Sequence, residues 1–142
     1  MRRFYIFSIR EELLVLYKDN PSNLYKILES IYKMKDDEIT YGYNLFKQIC
    51  VRVDNLEISN RLYLTMHNDP IYTKLDNEHI INNLYKDEVS ILNIKKSHII
   101  LDCNNSYSSF FNLLNKYNKN YFICDFNEND FFFLSDIELV VN

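Results

Sequence analysis

Near the N-terminus the run Phe4-Tyr5-Ile6-Phe7-Ser8-Ile9 constrains the fold more than any other stretch of the chain. It is β-branched and aromatic, which favours an extended strand, and it is apolar on both faces. A half-exposed strand would alternate apolar and polar residues; one without polar alternation has to be covered on both sides. The sequence therefore predicts a central strand with a layer of structure on each face.

The rest of the pattern supplies those layers. Glu11 and Glu12 stand where acidic side chains favour a helix N-terminus, and residues 11–18 read as a short helix. The turn Asp19-Asn20-Pro21-Ser22 follows, with Asn20 or Ser22 as the next cap. Leu24, Tyr25, Ile27, Leu28, Ile31 and Tyr32 recur at helical spacing up to about Met34. A third helix carries Ile39, Tyr43, Phe46, Ile49 and Cys50, with Gly42 inside it. Glycine in a helix costs about 1 kcal/mol relative to alanine, so close approach of another element is expected there. Residues 61–66 alternate like a strand, although a helix through Leu56 and Leu62 fits nearly as well. Residues 76–85 predict another helix, with Ile80, Ile81 and Leu84 inward.

The last third predicts two hairpins. Residues 89–94 and 98–103 flank Lys95-Lys96-Ser97, and residues 121–124 and 131–134 flank Asn127-Glu128-Asn129-Asp130. Between them Ser106 is expected to cap a helix whose Phe110, Phe111, Leu113, Leu114 and Tyr117 face the sheet. With one glycine and two prolines in 142 residues, the turns fall to Asn and Asp, which tolerate left-handed backbone better than other side chains. The expected class is α+β: one domain spanning residues 1–142, ordered over about 3–135 with a short C-terminal tail. Its N-terminal strand and helices pack on a largely antiparallel sheet formed with the C-terminal half.

Several chemistries are excluded. A phosphate-cradling loop needs glycines for close backbone approach, and a single glycine rules out nucleotide fingerprints of that kind. The formal charge of −4 argues against a nucleic-acid binder, and Arg2, Arg3 and Arg10 read as an exposed strand end. Cys50, Cys103 and Cys124 lack zinc or redox spacing, and His67, His79 and His98 lack metal spacing; the histidines are expected on the surface and the thiols buried. No metal or cofactor is expected. No long apolar run suggests a membrane span or secretory signal, so a cytoplasmic chain is expected. Asp36, Asp37 and Glu38, like Asp125 and Asp130, stand where turns and caps call for acids. The alternative enzyme reading is a small cysteine-dependent or acid-base catalyst around Cys103, Cys124 and His98.

The first helix is harder to account for. Leu13-Leu14-Val15-Leu16-Tyr17 is apolar over more than one full turn, wider than the stripe a surface helix buries. Leu13 and Tyr17 share a face, and Leu14 and Leu16 lie to either side of the opposite one. Either long neighbours cover the helix all round, or one face is an apolar patch for a partner. On the third helix Tyr41, Leu45 and Gln48 run along a flank beside the core stripe, fitting the rim of such a surface.

The order of elements, with the stretches Phe4-Tyr5-Ile6-Phe7-Ser8-Ile9-Arg10-Glu11-Glu12, Asn60-Arg61-Leu62 and Phe122-Ile123-Cys124-Asp125-Phe126-Asn127, resembles the sporulation inhibitor of replication family (SirA) of endospore-forming Firmicutes. The resemblance runs from about residue 4 to residue 134. It implies an adaptor without enzymatic activity that binds the N-terminal domain of the replication initiator DnaA during sporulation, as a monomer forming a one-to-one complex. It also implies a contact surface built from the first helix and a later helix packed beside it. Tyr17 matches an aromatic contact position, Leu13 stands where the family can carry an aromatic, Gln48 where a tyrosine occurs, and Leu45 where a glutamine does.

Overall fold

A computed structural model describes residues 1–137. The chain runs β1 (Arg2–Ile9), α1 (Glu11–Tyr17), α2 (Pro21–Tyr32), a 3-10 turn at Asp36–Glu38, α3 (Ile39–Ile49), β2 (Cys50–Val51) and α4 (Asn55–Met66). Then follow β3 (Tyr72–Leu75), β4 (Glu78–Asn83), β5 (Glu88–Ile94), β6 (Ile99–Cys103), α5 (Ser109–Asn115), β7 (Tyr121–Asp125) and β8 (Asp130–Phe133). Of the tail expected after about residue 135, residues 138–142 lie outside the described residues.

All strands belong to one antiparallel sheet in the order β3-β4-β5-β6-β1-β7-β8, with the short β2 pairing the end of β1 beyond β6. β1 is the central strand the sequence demands: Phe4 pairs with Leu101 on one side, and Phe7 with Phe122 on the other. Its alternate residues enter two separate cores. Phe4 and Ile6 pack with Ile58 and Leu62 of α4 and with Phe110, Phe111 and Leu114 of α5. Phe7 and Ile9 face the opposite way, onto Leu24 and Leu28 of α2 and Ile49 of α3. A strand apolar on both faces thus needs helices on both faces, and this α+β fold provides them.

Gly42 is buried in α3, where a Cβ would come 2.7 Å from the Met34 sulfur. The absent side chain lets α3 lie close to the end of α2. As the scarcity of glycine suggests, left-handed backbone falls to Asp76, Asp87 and Asn129, with φ of 53°, 50° and 52°.

Two stretches differ from expectation. Residues 76–85 are not a helix: they form the turn before β4, then β4 itself and the start of the next turn. Their inward positions are His79 and Ile81, so a buried histidine hid the alternation and made Ile80, Ile81 and Leu84 mimic a helical stripe. Residues 61–66 belong to α4, whose Ile58 and Leu62 are buried one turn apart and whose N-terminus is capped by Asp54 accepting from the Glu57 N–H at 3.2 Å. The cap of α5 is Ser108, two residues later than Ser106, accepting from the Phe110 N–H.

Candidate protein-binding surface

α1 spans seven residues, too few to be stable alone in water, and none of them is fully buried. It is held at its entry. The Arg10 backbone N–H donates to the Ile49 carbonyl at 2.9 Å, and Arg10 Nε donates to the Lys47 carbonyl at 2.8 Å. Both acceptors lie in the last turn of α3, where carbonyls lack intrahelical partners and a cation is favoured. The start of α1 is therefore fastened directly beside Gln48.

Successive residues turn about 100° around a helix, so Leu13, Leu14 and Tyr17 fall within one arc of roughly that width. That arc is half-buried against the core shared with α2 and α3. Val15 and Leu16 occupy the other side and are 81% and 67% exposed. The sequence leaves open which face of α1 is exposed; Leu14 turns to the core together with Leu13 and Tyr17, while Leu16 does not. The excess apolarity of the helix is thus resolved as one arc for the fold and one for solvent.

On α3 Leu45 is half-buried against the same core, Gln48 is exposed, and Tyr41 is exposed toward the other end of the helix. Leu13, Tyr17 and Leu45 therefore share one core, with Gln48 at the α1–α3 junction. Sequence reasoning passed over Val15 and Leu16 as the most exposed apolar side chains of α1. The signal was partial: Leu13 and Tyr17 group with Leu16 as well as with Leu14 in an arc of about 100°, and only Val15 falls outside both groupings.

The titratable groups are tied into the fold. Contrary to expectation, His79 is fully buried on β4: its Nδ1 lies 2.7 Å from Tyr72 Oη and its Nε2 2.8 Å from Ser59 Oγ. Burial, with the Lys74 charge, lowers its pKa to about 4. His98 is likewise not a solvated edge residue. It is half-buried, its ring 5.8 Å from those of both Tyr5 and Phe7, and burial and Lys95 lower its pKa. His67 is exposed after α4, as expected.

Cys50, Cys103 and Cys124 are buried free thiols. Burial pushes Cys50 up to about 12 and Cys124 up as well, away from the thiolate form a nucleophile requires. Arg2 joins Asp125 at 2.9 Å and Asp130 at 3.0 Å, while Arg3 makes a two-pronged pair with Asp102. With Arg10 bound to α3, the N-terminal arginines are engaged in intramolecular contacts rather than forming a free cationic patch. Among the described residues no group of three His, Cys, Asp or Glu side chains could hold a metal ion, and no helix is long and apolar enough to cross a membrane.

No curated protein matches the chain significantly. Residues 2–138 match the model of the sporulation inhibitor of replication protein SirA, and the chain belongs to that family of replication inhibitors.

Proposed function

We propose that this chain restrains replication during sporulation by binding the N-terminal domain of the initiator DnaA through α1 and the C-terminal half of α3. The observation that carries this reading is the outward pair Val15 and Leu16 on a helix with no fully buried residue. Leu13, Leu14 and Tyr17 already serve the fold, and the adjacent exposed pair Val15 and Leu16 is an apolar patch of the kind that marks an interaction site. Leu13 and Tyr17 form the base of the surface, half in the fold and half accessible; Leu45 and Gln48 form its edge. The chain acts by occlusion, as a cytoplasmic monomer in a one-to-one complex, without catalysis and without cofactor.

Calorimetric titration with the DnaA N-terminal domain of the same organism tests this. Truncating a central anchor typically costs about 2 kcal/mol or more, so Tyr17→Ala is expected to weaken binding at least roughly thirtyfold. Because Tyr17 also touches the core, its variant is compared with Leu16→Asp, which alters only the outward arc. Undiminished affinity in both variants would remove α1 from the site.

A further inference from the structure

A second feature lies apart from the outward arc of α1. Between α2, α3, β1 and the start of β6 is an open cleft of about 480 Å³, lined by the rings of Tyr5, Phe7, Tyr32, Tyr43, Phe46 and His98. Its size and predominantly apolar lining fall in the range of small-molecule sites, which join such walls to a few placed polar groups. Tyr32 and Tyr43 are exposed at its mouth, and Tyr5 meets Tyr32 edge-on at 5.2 Å.

The polar group is His98. Its Nδ1 is taken by Ser97 Oγ at 2.7 Å, and among the described residues no protein partner bonds its Nε2. Asn115 Oδ1, not this nitrogen, is the buried side-chain atom left without a partner among the described residues, so water reaches Nε2 in the free chain and a ligand hydroxyl bound there would take that water's place. Burial keeps the ring neutral near neutral pH. Its free nitrogen then donates or accepts according to the tautomer that Ser97 selects. Ring-lined walls favour a flat π-system, which can pack edge-on and offset against them, over a branched aliphatic group.

We propose that this cleft binds a small planar aromatic molecule carrying one hydroxyl, of the phenol class, with its ring among Tyr5, Phe7 and Phe46 and its hydroxyl on His98 Nε2. A phenol both donates and accepts, so it satisfies either tautomer. Gly42 and Met34 also line the cleft. A Cβ at Gly42 would meet the Met34 sulfur at 2.7 Å, and the flexible thioether would have to swing into the open space beside it.

The test is a chemical-shift titration of the whole chain with two probes, 4-methylphenol and toluene. Saturable shifts are expected at the amides of Gly42, Phe46 and His98. The phenol should bind roughly two- to tenfold more tightly than toluene, the worth of one net hydrogen bond. His98→Phe keeps a ring in place and should abolish that preference while toluene still binds; Gly42→Ala should weaken both probes. The absence of saturable shifts with either probe overturns the proposal. So does a pattern in which these amides move only when the DnaA domain is added, which would assign the cleft to the protein partner instead.

Discussion

Arg10 Nε lies 2.8 Å from the Lys47 carbonyl, joining the entry of α1 to the exit of α3. Together with the backbone bond from Arg10 to Ile49, it makes α1 and α3, which have all of α2 between them in the chain, into one surface element. Arg10→Ala removes the side-chain bond but keeps the backbone one. It should cost about 1 kcal/mol of stability, read as a lower urea midpoint with unchanged slope. Partner binding should weaken further than that loss of stability explains, because α1 is freed relative to Gln48.

The outward arc should separate binding from folding. Val15→Asp and Leu16→Asp change exposed side chains, and such substitutions usually shift stability by no more than about 0.5 kcal/mol. Melting temperature should stay near wild type while affinity for the DnaA domain collapses. A loss of both would mean that the arc is part of the fold.

His79 links three elements, because Tyr72 is on β3 and Ser59 on α4. His79→Leu leaves both hydroxyls without that partner and should cost about 1–3 kcal/mol by denaturant titration. The pH dependence has a definite sign. The folded chain holds His79 neutral down to about 4, whereas an unfolded histidine protonates near 6.5. The unfolded state thus binds more protons in that window. This contribution to stability is fully present above 6.5 and is lost as pH falls toward 4. Unfolding measured across the window should show a shallower pH slope for His79→Gln than for wild type.

The thiols should be silent in the native state. Cys50, Cys103 and Cys124 are buried, and burial disfavours the thiolate of Cys50 and Cys124. A disulfide reagent at pH 8 should label them only at the rate of unfolding and reach three equivalents in denaturant. Fast labelling of one native thiol would revive the cysteine-enzyme reading.

Much of the fold is legible wherever burial and period agree. β1 reads as central because both faces of its run 4–9 are apolar apart from Ser8, and Gly42 reads as a close approach because nothing else explains a glycine in an amphipathic helix. The pattern fails where a polar side chain takes a core position. His79 at an inward site of β4 turned a strand into an apparent helix, since periodicity counts histidine as outward whatever its hydrogen bonds. α4 was ambiguous for the opposite reason: Leu56 and Leu64 are apolar yet exposed, which blurred its stripe. The surface was half legible. Five consecutive apolar residues in α1 announce an excess, but assigning Leu14 inward and Val15 outward requires the core shared with α2 and α3, and periodicity alone does not place that core.

On the proposed reading, α1 and the end of α3 form the surface that DnaA covers. Amide hydrogen exchange of the chain, free and mixed with the DnaA N-terminal domain, measures that coverage residue by residue. New protection is expected only at residues 11–18 and 45–49, and it should be absent in Leu16→Asp. Unchanged exchange in a folded sample, or protection appearing on α4 and β3 instead, would contradict that reading.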